Sequence, residues 1–405
     1  MEKSQKPDVT AQAIDGNGKQ VIAAAGLLCF VLGSVHAFSV FLAPLETIFS
    51  VSRANVSLIY SLSLISLTIS VLLGPKFYSR LLPGSILLAS GLVAAAGTLI
   101  AAFAPGLSVV LLGYGILFGA ANGAGYGFGL QIAAKANAGR EGMAMGIITA
   151  CYAIGTIVAP FGFQWALSHG GFRLAMIGLG VALVAGGLLS ALIIRNTAVR
   201  MDRPDAHENE AITQPGETAL LWAAYGSGVF SGLMVIGHAA EIARSDQLAS
   251  LVWMAPALIA GFNLLGSLLG GYLADVMSSR TLLRGLTVIA SAVLTGLALI
   301  TPGPIVLAGL AAIGFCYGAT ISIYPSIIAK RYGMTNGPRL YGRVFTAWGA
   351  AGLAAPWLAG FLFDIAGNYS TALLTAAALS LASAVIAHVV FGGEPPRHST
   401  RTDGR

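Results

Sequence analysis

Three titratable side chains stand out because they lie within or at the end of long apolar runs, where ionisable groups are rare. His36 falls inside the run that begins at Val21. Its titration range suits the uptake and release of a proton, and a neutral, hydrogen-bonded packing histidine is the alternative. His238 and Glu241 stand beside Arg244 at the end of another run. Together, His238, Glu241 and Arg244 predict a salt-bridged gate or a group of proton-binding residues, and a solvated helix end is the alternative.

Further polar and aromatic side chains are scattered through the apolar runs. A polar group left unpaired in hydrocarbon costs several kcal/mol, so a retained one usually faces a partner or a water-filled path. Hydroxyl groups and flat rings suit a carboxylate or a flat organic solute, and helix packing is the alternative role. The candidates for solute binding besides His36 are Tyr60, Asn122, Tyr126, Gln131, Tyr152, Asn263, Ser267, Tyr317, Tyr324 and Trp348.

Other kinds of chemistry find no support in the sequence. The cysteines Cys29, Cys151 and Cys316 lie far apart without CxxC spacing and are predicted to be small core residues. The glycine-rich run 123–129 follows no strand, so it favours close helix packing over a phosphate cradle. There is no Walker lysine, metal-ligand cluster or nucleophile–base motif. We therefore expect no enzyme activity, no cofactor and no metal site.

The composition decides which elements hold these residues. Hydrophobic residues make up 56% of the chain and charged residues 9%, against roughly 25% charged residues in soluble domains. One span needs about 20 apolar residues, and the alternation typical of a membrane barrel is missing. The sequence predicts an all-α membrane protein of twelve spans, near Val21–Leu42, Val56–Leu73, Ser85–Phe103, Leu107–Ile132, Met143–Trp165, Phe172–Ile194, Ala219–Ala240, Leu251–Leu273, Leu283–Ile300, Gly303–Ile328, Val344–Phe363 and Ala372–Phe391.

The positive charges predict the orientation in the membrane. If the amino terminus is cytoplasmic, nineteen of the 22 Lys and Arg residues lie on that side, and only Arg53, Arg173 and Arg244 lie outside. This bias follows the positive-inside rule and puts both termini in the cytoplasm of a bacterial-type inner membrane. The net charge of +6 then meets anionic lipid headgroups and not nucleic acid. We expect a monomer.

The chain also divides into two similar halves. Pro105 and Pro302 are 197 residues apart, as are Gly155 and Gly352, and such an offset indicates paired six-helix bundles. The polar stretch between the halves is predicted to be a cytoplasmic linker. The resulting divisions are a tail over 1–20, a bundle over 21–194, the linker over 195–218, a second bundle over 219–391 and a tail over 392–405.

In the segments that follow the second and eighth predicted spans, the chain resembles the major facilitator superfamily. The signature of that family between helices reads glycine, an acid and then basic residues. The second half has Gly270, Asp275 and Arg280, whereas the first keeps only Gly74 and Arg80 because a serine replaces the acid. The resemblance implies that these five residues form the cytoplasmic gate. Plain solvation of a loop is the alternative.

A closer resemblance is to the oxalate/formate antiporters and the related monocarboxylate transporters. It is carried by YGRVFTAWG at 341–349, FLAPLE at 41–46 and SR at 52–53 ahead of VSLIY at 56–60. The resemblance implies a secondary transporter whose two halves rock about a central cavity lined by the first, fourth, seventh and tenth helices.

Two departures from the oxalate/formate pattern bear on the solute. Ser267 stands where an arginine is usual, and Trp348 stands where some members carry a lysine. Two carboxylates without a buried cation would lose several kcal/mol of hydration each. A monocarboxylate taken with a proton, or a neutral solute, is therefore expected, moved by symport with a proton or antiport against a counter-solute. A drug or metabolite exporter of the same fold remains an alternative, as does a non-transporting membrane sensor or enzyme.

Overall fold

The computed structural model describes residues 9–78, 80–138, 140–201, 215–244, 252–299 and 304–391. We number its membrane-spanning helices in chain order. The first half holds α1 (Val9–Leu32, continued by Gly33–Phe41 and Leu42–Phe49), α2 (Arg53–Leu73), α3 (Pro83–Ala102), α4 (Leu107–Ala136) and the two arms of Glu141–Ile194, α5 before Gly171 and α6 after it. The second half holds α7 (Pro215–Ile242), α8 (Met254–Val276), α9 (Ser279–Leu299), α10 (Ile305–Tyr332), α11 (Leu340–Ala366) and α12 (Ser370–Val390).

Within the described residues, eleven helices are long and apolar enough to cross a membrane. One of them, Glu141–Ile194, has 54 residues, more than twice the roughly 20 that one crossing needs. It bends at Gly171, whose φ of 67° is a left-handed value that favours glycine. The helix therefore crosses twice, and the predicted all-α fold of twelve spans is confirmed.

The ends of some spans differ from the prediction. Helix α1 begins at Val9 and its helical path runs on to Phe49, beyond the expected range at both ends. Helix α7 begins at Pro215, four residues early, while α6 ends at Ile194 as expected. Much of the predicted linker, residues 202–214, the first eight residues of the amino-terminal tail and the whole predicted carboxyl-terminal tail, 392–405, lie outside the described residues.

Rows of glycine bring the helices of each half close together. On α4, Gly115, Gly119 and Gly123 recur every fourth residue and face α2, where a Cβ on Gly119 would lie 2.6 Å from the Ser63 Cα. In the second half a Cβ on Gly270 of α8 would lie 2.8 Å from the Ala319 Cα of α10. Small residues at this spacing allow helices to pack in lipid. The glycine-rich run of α4 is thus a packing surface.

The two halves meet along α2 with α11 and along α5 with α8. A Cβ on Gly349 would lie 2.6 Å from the Thr68 Cγ2, and one on Gly360 would lie 2.8 Å from the Ala54 Cα. These contacts run along much of both helices. They leave α1 and α7 to face each other between the halves, where the 3₁₀ segment of α1 packs against α7.

Candidate functional site

The central site is built around an interruption in α1. The α-helix ends at Leu32, and residues Gly33–Phe41 form a 3₁₀ helix. Asn122 Nδ2 donates to the Leu32 carbonyl at 2.7 Å, and Thr156 Oγ1 donates to the Gly33 carbonyl at 2.7 Å. A change of helix type weakens the regular hydrogen bonding of the backbone, and lipid offers no replacement partner. Side chains of α4 and α5 therefore stabilise the interruption.

Close contact between α1 and α5 makes this possible. A Cβ on Gly33 would overlap the Tyr152 carbonyl oxygen, and one on Gly155 would overlap the Phe30 carbonyl oxygen. The Tyr152 hydroxyl donates to Asn122 Oδ1 at 3.1 Å. Asn122 thus joins the end of the α-helical part of α1 to α5.

His36 lies in the middle of the 3₁₀ segment. Its Nδ1 is hydrogen-bonded to the Tyr60 hydroxyl at 2.6 Å, and its ring lies edge-on to Tyr152 with centroids 5.8 Å apart. Tyr126 completes this wall, with its ring centroid 4.6 Å from that of Tyr152. His36 and Tyr126 remain partly exposed, and the structure gives His36 Nε2 no partner among the described residues. One of the two ring nitrogens is therefore not used in the contact between α1 and α2.

The second half supplies an aromatic wall. Trp348 Nε1 donates to the Tyr317 hydroxyl at 2.8 Å, which joins α11 to α10. Phe345 stacks on Trp348 with centroids 5.6 Å apart and an angle of 5° between the rings. Phe345 is partly exposed, whereas Tyr317 and Trp348 are each 5% exposed. This wall offers ring faces and dipoles but no charged group.

Other predicted solute-binding residues lie elsewhere in the structure. Asn122 is fully buried, and its amide is occupied by α1 and α5. Ser267 donates to the Gly318 carbonyl at 3.1 Å and lies 3.4 Å from Asn263 Oδ1, so both residues sit at the contact between α8 and α10. Tyr324 is 1% exposed and packs on Tyr225. Gln131 is partly exposed, five residues beyond Tyr126 on α4.

A second polar cluster, which we call the outer cluster, lies at the membrane face that the charge count predicts to be extracellular. Its centre is Arg53 at the start of α2, which is 8% exposed. Its guanidinium forms a two-point ion pair with Glu46, with Nη2 2.9 Å from Oε2. The same Nη2 lies 3.4 Å from a carboxylate oxygen of Glu241 in the second half, and Nη1 donates to the Tyr369 hydroxyl at 3.0 Å. Arg53 therefore links the halves.

Asp364 adds a second link at the same place. Its two carboxylate oxygens accept the backbone N–H groups of Arg53 at 3.0 Å and Ala54 at 2.9 Å. These groups belong to the first turn of α2 and have no partner within that helix. An acid from α11 therefore caps the amino end of α2, where negative charge is favoured.

His238 lies beneath this cluster and is completely buried. Its Nε2 lies 2.8 Å from the Pro356 carbonyl and 3.1 Å from the Ser57 hydroxyl, while its Nδ1 lies 2.9 Å from the Tyr369 hydroxyl. A carbonyl only accepts, so Nε2 carries a proton and Nδ1 accepts from Tyr369. Burial raises the pKa of Tyr369, which keeps this hydroxyl protonated as a donor.

Glu241 is also buried, at 5% exposure, and forms a two-point ion pair with Arg244 at 2.8 and 2.9 Å. Hydrogen bonds to this carboxylate raise the pKa of Arg244, whose side chain is half exposed. The alternative of a solvated helix end is therefore wrong for His238 and Glu241. Both belong to a buried contact between the halves.

A family model named Major Facilitator Superfamily matches residues 23–236 and 218–405. The matches cover nearly the whole chain and overlap at the boundary between the halves. The chain belongs to the major facilitator superfamily. It is a multi-pass membrane transporter and not an enzyme.

Curated relatives agree with both resemblances stated above. The chain is 27% identical over 341 residues to the uncharacterized MFS-type transporter YhjX of Escherichia coli, covering 79% of this chain and 82% of that protein. It is 25% identical to monocarboxylate transporter 13 of Rattus norvegicus, covering 87% and 83%. It is 24% identical to the oxalate:formate antiporter of Oxalobacter formigenes, covering 92% and 90%.

The fold is shared with solved transporters of the superfamily. The inward open structure of the xylose transporter XylE from E. coli matches with a TM-score of 0.73 at 13% identity, covering 95% of this chain and 98% of that one. Identity this low supports the shared fold alone. It identifies no solute.

The signature positions of the superfamily lie at the opposite membrane face from the outer cluster. Gly270 packs against α10, and Gly74 lies against the ring of Tyr78. Arg280 contacts His388 at the end of α12. Arg80 is exposed, and the side chain of Asp275 lies outside the described ones. The role of these five residues as a gate stays a prediction.

Sequence reasoning missed most of the outer cluster. In the sequence, Arg53 is notable only as a positive charge on the outer side and as part of the SR motif at 52–53. No sequence pattern groups it with Glu46, Asp364 and Tyr369. One signal was available, because Arg53 is one of three cations predicted on the outer side and directly precedes an apolar span. Its partner Asp364 is 311 residues away, a distance that no local pattern reveals.

Proposed function

We propose that this transporter carries a small organic acid, bound as a monocarboxylate together with a proton. The observation that carries the proposal is the setting of His36, which is partly exposed and presents one unpartnered ring nitrogen beside the rings of Tyr60 and Tyr152. No Lys or Arg lies near the middle of a span, so a bound dianion would lose its hydration without a compensating cation. One carboxylate with one proton has no net charge and suits such a site.

The aromatic walls of the two halves would have different roles in binding the solute. His36 and the hydroxyl of Tyr126 offer hydrogen bonds to a carboxyl group, while the ring of Phe345 offers an apolar surface to the rest of the solute. A histidine that binds the proton together with the solute couples the two, because each makes binding of the other more favourable.

The outer cluster indicates how the two halves could separate to admit or release the solute. Its contacts hold the two halves together at the face predicted to be extracellular, so this face is closed in the structure. Opening the outer face separates Arg53 from Glu241, but each keeps a partner in its own half, Glu46 for Arg53 and Arg244 for Glu241. A buried ion left alone would cost several kcal/mol. The arrangement therefore allows the halves to rock apart without leaving either of these two ions unpaired.

The first test is a thermal-shift screen of the purified protein against mono- and dicarboxylates, sugars and cationic drugs, at about pH 5.5 and about pH 7.5. We expect a monocarboxylate to stabilise the protein more at the lower pH. Equal or stronger stabilisation by oxalate would overturn the proposal. Stabilisation only by bulky hydrophobic compounds would favour an exporter.

The second test is uptake of the stabilising acid into proteoliposomes by the His36→Gln variant. We expect proton-driven uptake to be lost, while exchange of solute for solute at equal pH continues. His169→Gln is the matched control, because His169 is an exposed histidine at the end of α5. Unchanged pH dependence in His36→Gln would refute the role of His36.

A further inference from the structure

Two arginines converge on one histidine at the membrane face opposite to the outer cluster. Arg280, near the start of α9, has Nε 3.3 Å and Nη2 3.2 Å from His388 Nδ1, and its Nη2 also contacts His388 Nε2. Arg284 Nη1 lies 3.3 Å from the same Nδ1. His388 belongs to the last turn of α12. We call these three residues the basic triad.

The basic triad has far more donors than acceptors. Each guanidinium has five N–H donors and a full positive charge, whereas a neutral imidazole has a single acceptor nitrogen. Among the described side chains, no carboxylate lies within ion-pair distance of either arginine. Two like charges that share one weak acceptor repel each other. An anion with several oxygens would supply both the missing acceptors and the missing charge.

The surroundings indicate where such an anion comes from. Val288, one helical turn beyond Arg284 on α9, is 44% exposed, and Val385 and Val389 on either side of His388 are 59% and 65% exposed. Large apolar side chains exposed on a spanning helix face lipid. Arg284 itself is exposed. The triad thus lies at the end of a lipid-facing surface, on the side predicted to be cytoplasmic.

We propose that the basic triad binds the phosphate of an anionic phospholipid of the cytoplasmic leaflet, with an acyl chain along the exposed face of α9 and α12. Guanidinium groups bind phosphate oxygens through paired, charge-assisted hydrogen bonds. A lipid with net negative charge is favoured over a zwitterionic one, because the cationic headgroup of a zwitterionic lipid adds a further positive charge beside the two arginines. Arg280 is also one of the predicted gate residues, but the proposal does not depend on which solute is carried.

Thermal unfolding of the full-length protein in detergent tests this proposal, with phosphatidylglycerol, phosphatidylcholine of the same acyl chains, or inorganic phosphate added. We expect a rise in Tm with phosphatidylglycerol and little change with the other two. Arg284→Gln should weaken the apparent affinity for phosphatidylglycerol about tenfold, because it removes charge-assisted bonds. The control is Arg140→Gln, an exposed arginine at the start of α5.

Any of the following outcomes would overturn the proposal. Equal stabilisation by both lipids would mean that the site does not distinguish the net charge of the headgroup. Stabilisation by inorganic phosphate alone would mean that no lipid is required. An unchanged phosphatidylglycerol response in Arg284→Gln would locate the lipid elsewhere. If Arg284→Gln unfolds too early for the assay, native mass spectrometry of the same variant compares bound phosphatidylglycerol with the parent, and equal occupancy refutes the site.

Discussion

The first helices of the two halves, α1 and α7, each carry a histidine in a very different setting. Helix α1 changes to a 3₁₀ helix over Gly33–Phe41 and presents a partly exposed His36 with one described partner. Helix α7 runs unbroken for 28 residues, and its His238 is fully buried with three partners. A histidine that binds protons during transport needs a free nitrogen, whereas one that holds two halves together needs all its bonds.

The difference between the helices comes from their neighbours. Asn122 and Thr156 provide the donors that allow α1 to leave the α-helical path, and the glycine contact with α5 brings Thr156 close enough. His238 instead bonds to groups of α2, α11 and the start of α12. We infer that α1 serves the solute and α7 serves closure of the outer face.

The largest expected effect concerns the glycine that permits the interruption of α1. In Gly33→Val the new side chain would overlap the Tyr152 carbonyl, and both backbones would have to move apart. We expect a loss of about 3 kcal/mol or more in the free energy of unfolding, seen as a loss of monodisperse protein in detergent size-exclusion chromatography. Gly178→Val is the control, because a Cβ on Gly178 meets nothing within 4 Å. If both variants give the same amount of monodisperse protein, the close contact between Gly33 and Tyr152 is not needed for the stability of the fold.

A smaller effect is expected from the amide that supports the interruption. Asn122→Leu leaves the Leu32 carbonyl and the Tyr152 hydroxyl without their partner. Unpaired buried groups cost about 1–3 kcal/mol each, so Tm should fall clearly below that of the parent. Asn55→Leu, on an exposed position of α2, should leave Tm nearly unchanged. A stable Asn122→Leu variant with normal transport would show that α1 holds its shape without this bond.

The smallest expected effect tests α7 and the outer cluster. Tyr369→Phe removes one hydroxyl that serves both Arg53 and His238. We expect about 1–2 kcal/mol less preference for the closed outer face, measured as faster labelling of a cysteine placed at Ser39, whose hydroxyl contacts α7. Tyr272→Phe is the control because Tyr272 is 65% exposed on α8. Unchanged labelling would mean that the hydroxyl does not contribute to closure.

Much of the fold could be predicted because the solvent of a membrane protein is visible in its composition. Runs of about 20 apolar residues predict spans, and the turn at Ala104-Pro105-Gly106 lies between α3 and α4 as the separation of two spans requires. The repeat of prolines and glycines between halves identified the pairing of six-helix bundles, and the family comparison confirmed the superfamily. The choice of His36 and Tyr126 as solute-binding residues stays a prediction that their exposure supports.

The number of spans, the two halves and the polar residues retained within the spans could be predicted from the amino-acid sequence, because each of these follows from local composition. Which partner each polar residue contacts depends on how the helices pack against one another. Asn122 became a support for α1, Ser267 a link between α8 and α10, and Arg53 the centre of a contact with residues roughly 190 to 310 positions away. In lipid every span is apolar around most of its surface, so a polar side chain does not reveal its partner until the helices pack.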